Sequence, residues 1–156
     1  MNQNLSDWAN LAQVASGIAV VITLVFLILG LRENTDVTRA AMYQRSSDNL
    51  IEFRRDIMRD PEIARLYDAF LNNQAEDIDG LDRVRLTQLI LNIFQISETA
   101  FFTQRYGLLG SAEWSRFESS ICGYYPLARS ARLTGSLQRV MTKDFMEYIA
   151  VSCEAE

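Results

Sequence analysis

The chain has 156 residues, of which 49% are hydrophobic and 22% charged, with a net charge of -5 and no histidine. That size fits one buried core plus one anchor, and the balance excludes both a disordered chain and a multi-pass membrane protein. Without histidine the chain lacks the commonest general base, the commonest metal ligand and every Ser-His or Cys-His nucleophile pair, while its acidity argues against nucleic acid as a partner and favours a basic one.

A short tail, residues 1–13, carries Asp7 and Trp8 and no basic side chain. From Val14 to Leu31 the sequence VASGIAVVITLVFLILGL is uncharged. About 18 residues at 1.5 Å rise give roughly 27 Å, the thickness of a hydrocarbon core, so this stretch is predicted to be a transmembrane helix. A cleaved signal peptide is the rival reading, but residues 1–31 have no Lys or Arg to form its positive leading region. Arg32, Arg39 and Arg45 follow the span, and this asymmetry predicts the N-terminus outside and the C-terminal domain in the cytoplasm, with Trp8 at the outer interface.

Ala12, Ser16, Ala19, Thr23 and Gly30 recur near heptad spacing on one face of the span, opposite Val21, Val25 and Leu29. Small residues let helix backbones approach closely in lipid, so this face is the candidate interface for self-association.

Neither Pro nor Gly occurs between Leu31 and Pro61, so the membrane helix is expected to run into a stalk over residues 32–59. Arg54, Arg55 and Arg59 suit anionic lipid or an acidic partner, yet Asp48, Glu52, Asp56 and Asp60 interleave with them and read as a self-neutralising solvated face.

Residues 60–156 are expected to form a helical bundle. Asp60-Pro61-Glu62 is a helix start: Asp caps free N–H groups, Pro at the first position loses no hydrogen bond, and Glu favours the positive end of the dipole. Ile63, Leu66, Tyr67, Phe70 and Leu71 give that helix an apolar face, and NNQAEDIDG ends it. The acids Glu76, Asp77, Asp79 and Asp82 around Gly80 loosely suggest a calcium loop, but the twelve-residue ligand spacing is not met, and no metal or cofactor is expected.

Leu81 to Tyr106 carries apolar residues on more than one face and is predicted to be the central helix. Gly107 and Gly110 break it, Ser111 is the expected cap of the next helix, and Trp114, Phe117 and Ile121 give that helix a buried side. Pro126 is expected to mark another break, with a last short helix from Thr142 burying Phe145, Tyr148 and Ile149. No stretch alternates with period two, so the class is all-α.

Glu98 lies one turn from Phe94 and Phe101, and a partly buried carboxylate takes up a proton or finds a cation. An acid/base or ion-binding role is one reading. The preferred one is a structural ion pair with Arg105, Arg83 or a stalk arginine. Cys122 and Cys153, far apart in sequence and in a reducing cytoplasm, read as plain thiols. Phe101-Phe102 and Tyr124-Tyr125-Pro126 read as packing, and no catalytic constellation is present.

The span running into Glu33-Asn34-Thr35, then Asp60-Pro61-Glu62, Arg83, Glu98, Gly107-Leu108-Leu109, Trp114 and Phe145, in this order, resembles a widespread group of small uncharacterised bacterial proteins with one N-terminal transmembrane helix and a helical cytoplasmic domain. Tyr125 to Gly135 departs from that pattern in lacking a tryptophan-rich segment. The resemblance implies a single-pass protein of the bacterial inner membrane and carries no activity. The expected role is a non-enzymatic interaction or scaffolding module whose partners are the lipid bilayer, further copies of itself and a cytoplasmic protein. An oligomeric pore, with Asn34, Thr35 and Thr38 lining a vestibule, is the alternative.

Overall fold

The computed structural model describes residues 3–153, and all its regular elements are α-helices: α1 (Gln3–Arg59), α2 (Pro61–Leu71), α3 (Gly80–Arg105), α4 (Ser111–Ser130), α5 (Thr134–Val140) and α6 (Lys143–Ser152). The chain is all-α. Two compact units divide it, Met1–Ala40 and Ala41–Glu156. The boundary falls inside the stretch read as stalk, because Ser46 and Phe53 of α1 are buried within the second unit. Helix α1 also begins at Gln3, ahead of the apolar run, so the segment read as a tail is helical from that residue.

In the first unit, every large hydrophobic side chain from Ile18 to Leu31 is exposed, none less than 49%. Among the described residues one helix is thus long and apolar enough to cross a membrane.

In the second unit, α3 is the element around which the others pack. It buries Leu86, Leu89, Ile90, Ile93, Phe94, Ala100 and Phe101, an arrangement all round its circumference that only a helix covered on several sides shows. Leu66 and Phe70 of α2, Ile121 of α4, Leu137 of α5 and Phe145 and Ile149 of α6 complete a core of fully buried side chains.

The helix ends follow local chemistry. Asp60 caps α2, its carboxylate accepting from the N–H groups of Glu62 at 2.9 Å and Ile63 at 3.3 Å. Helix α3 ends in a turn that needs a left-handed residue, with Gly107 at φ +72° and the Leu108 N–H donating to the Thr103 carbonyl at 2.9 Å. Helix α4 ends in the same way with Arg132 at φ +55° and the Leu133 N–H donating to the Ala128 carbonyl. Here a side chain occupies a conformation that glycine adopts freely.

Three sequence expectations are corrected. Pro126 does not break the chain: it lies inside α4, on an exposed face. The carbonyl one turn earlier can turn to water there, which lowers the penalty that a buried mid-helix proline would carry. Ser111 is the first residue of α4, whose cap is Gly110 without a side-chain hydrogen bond. The segment after Pro126 also holds a helix, α5, that the periodicity did not reveal because only Leu137 of it is buried.

Candidate functional site

In the first unit, Ser16, Ala19, Thr23 and Gly30 are all exposed. The side chain of Ala12, the fifth member of that face, lies outside the described residues. A Cβ added at Gly30 would meet nothing within 4 Å. The Thr23 hydroxyl donates to the Ala19 carbonyl at 2.9 Å. Its polar group is satisfied within the helix, and these four positions present small side chains.

Glu98 is half-buried on α3 and meets the start of α6. One carboxylate oxygen accepts from the Thr142 N–H at 2.6 Å and the Thr142 hydroxyl at 2.8 Å. Thr142 is the N-cap of α6 and makes no capping bond with its own side chain. The carboxylate of another helix thus does that work, at the positive end of the α6 dipole.

The expected ion pair with Arg105 or Arg83 does not form. Arg105 binds Asp144 instead, at 2.9 Å. Arg83 donates to backbone carbonyls: Ala131 at 2.6 Å, Arg132 at 3.3 Å and Ala75 at 3.3 Å. These carbonyls belong to the end of α4 and the α2–α3 connection, where a cation meets the negative end of a dipole. All three residues join helix ends, with partners the sequence did not name.

A second polar cluster was missed in the sequence. The Trp114 indole N–H donates to the Tyr148 hydroxyl at 3.2 Å, and that hydroxyl donates to Glu118. Phe101 packs on Trp114 and Tyr148, with ring centroids 5.8 and 4.9 Å away. Burial, reinforced by the hydrogen bond to Glu118, raises the Tyr148 hydroxyl above the ordinary tyrosine value. Tyr67 is raised in the same direction by burial and by Tyr124, whose hydroxyl lies 2.7 Å away.

Cys122 on α4 and Cys153 at the end of α6 form a disulfide, with Cα atoms 4.8 Å apart. The expectation of plain thiols is corrected. Both residues are half-buried against the core. The usable signal was that Cys153 lies one turn beyond Ile149, on the inner face of the last helix.

Of the acids around Gly80, Glu76 in the α2–α3 connection pairs with Arg132, and Asp82 in the first turn of α3 pairs with Arg65. The interleaved charges at the end of α1 are exposed, and among the described residues no ion pair involves Arg54, Arg55 or Arg59. A cleft of about 410 Å³ between the end of α1 and α3 has Glu52 and Asp56 on one wall, Asn92 and Gln95 on the other and Phe53 and Ile96 beneath. Every buried side-chain N or O atom among the described residues has a hydrogen-bond partner. The core therefore aims no orphaned polar group at a ligand.

No protein-family model, no curated protein and no solved structure matches this chain.

Proposed function

We propose that the chain is a membrane-anchored, non-enzymatic helical module that self-associates through its span and holds residues 41–156 on the cytoplasmic side of a bacterial inner membrane. The observation that carries this reading is the run of exposed apolar side chains from Ile18 to Leu31, none of them covered by the chain itself. Covering such a side chain is worth about 1.5 to 3 kcal/mol, and lipid is the medium that covers an isolated helix of this length on all sides. The arginines at 32, 39 and 45 support the orientation. The bacterial setting rests on the resemblance carried by Glu33-Asn34-Thr35 and Asp60-Pro61-Glu62.

Self-association is supported by the small side chains at Ser16, Ala19, Thr23 and Gly30, which let two backbones approach, and by the Thr23 hydroxyl being satisfied within its own helix. The cleft walled by Glu52 and Asp56 suits the basic surface of a cytoplasmic protein. The polar groups Glu98, Arg83 and Arg105 are engaged in holding helix ends together, which supports a binding module over an enzyme.

The test is Ala19→Ile against Val21→Ile on the opposite face, read by crosslinking the full chain in a bacterial inner membrane at matched expression. Overpacking a close backbone contact costs about 1 to 3 kcal/mol, so Ala19→Ile is expected to weaken association about fivefold or more, with Val21→Ile unchanged. Equal crosslinking of Ala19→Ile and the parent would remove this face as the interface.

A further inference from the structure

We infer that Cys122 and Cys153 are a reversible thiol–disulfide exchange site that fastens the C-terminal end of α6 to α4. The inference rests on the cytoplasmic orientation proposed above.

The two ends of α6 are held differently. At its start, Glu98 binds Thr142 and Arg105 binds Asp144, so α3 grips that end without covalent help. In the middle, Phe145, Met146 and Ile149 are buried. Beyond Ile149 the side chain of Val151 is 75% exposed, and Cys153 is the residue that returns to the core. The bond to Cys122 spans 31 residues of sequence and joins the last turn of the helix to α4. A fastening placed at one end of a helix, with independent contacts at the other, can open without unfolding the unit.

Both cysteines are half-buried, which leaves them within reach of small thiols and disulfides. A glutathione-buffered cytoplasm keeps accessible pairs as dithiols, whereas an excess of low-molecular-weight disulfide closes them. In the closing direction, one cysteine thiolate attacks a sulfur of glutathione disulfide, the S–S bond breaks, and glutathione thiolate leaves and takes up a proton. The second cysteine thiolate then attacks the protein sulfur of the mixed disulfide and expels the other glutathione. Two protein thiols are oxidised and one glutathione disulfide is reduced to two glutathiones. A dithiol reductant reverses both steps.

The test uses the full chain in two settings. In growing bacteria, acid quenching followed by a polyethylene-glycol maleimide should add to both cysteines before treatment and to neither after hydroxyethyl disulfide. Two additions after the oxidant would overturn the site, since the pair would then not close. No addition before the oxidant would also overturn it, since the bond would be permanent. In that event a cytoplasm-specific reporter fused after Glu156 tells which reading failed: an active reporter condemns the reversible site alone, an inactive one condemns the orientation with it.

In detergent, hydrogen exchange of the backbone amides at residues 149–153, the last turn of α6 that the bond fastens, should accelerate about tenfold or more on reduction. Cys153→Ser should exchange there at the reduced rate with or without reductant. Equal exchange of the oxidised and reduced parent at those amides would show that the bond does not hold α6 and would overturn the proposal.

Discussion

Removing the Glu98 carboxylate should loosen α6 by a calculable amount. Its oxygen holds two donors of Thr142, at 2.6 and 2.8 Å. Hydrogen bonds to a charged acceptor contribute about 1.5 to 3 kcal/mol when fully buried. Glu98 is half-buried and Thr142 exposed, and solvent screening brings each down to about 1 kcal/mol. Glu98→Ala should therefore cost about 2 kcal/mol, and Glu98→Gln, which keeps an acceptor oxygen and loses the charge, about 1 kcal/mol. For a unit of this size each kcal/mol lowers Tm by about 4 °C, so the expected losses are about 8 and 4 °C.

The assay is thermal unfolding of the full chain in detergent followed by near-ultraviolet circular dichroism, to which the Trp114 and Tyr148 cluster beside α6 contributes. A double-mutant cycle identifies the partner. Glu98→Gln and Thr142→Ala should be non-additive by about 0.5 kcal/mol or more, whereas Glu98→Gln and Arg105→Ala should add. A Tm for Glu98→Ala within about 1 °C of the parent, or coupling to Arg105 in place of Thr142, would refute the reasoning.

Three further outcomes are expected. A reporter active only in the cytoplasm, fused after Glu156, should be active, and an active alkaline phosphatase fusion at the same place would reverse the orientation. Arg132→Gly should stabilise the second unit by up to about 1 kcal/mol in denaturant unfolding, because the left-handed backbone is freed while only an exposed ion pair with Glu76 is lost. Tyr148 is held above its ordinary pKa, so its contribution to stability is fully present below about pH 10 and is lost as pH rises through the higher native value. In an ultraviolet phenolate titration, Tyr148→Phe should remove part of the late-titrating absorbance, and an unchanged curve would count against the hydrogen bond to Glu118.

The sequence by itself determined whatever depends on near neighbours along the chain. The uncharged run from Val14 to Leu31 marks a helix suited to lipid because length and apolarity are properties of the segment alone. The all-α class follows from a 3.6-residue period without a competing period of two. Asp60 caps α2 because such a start uses residues within a turn of each other.

Tertiary structure alone decided the partners. Glu98 was correctly placed at the edge of the core, but periodicity specifies which face a residue occupies and not which residue faces it. Its partner Thr142 is 44 residues away, and Arg83 reaches Ala131 across 48. The same limit applied to Cys122 and Cys153, which became a pair only when α6 folded back on α4. Pro126 stayed helical because the packing of α4 left it facing solvent, a fact no local rule for proline contains.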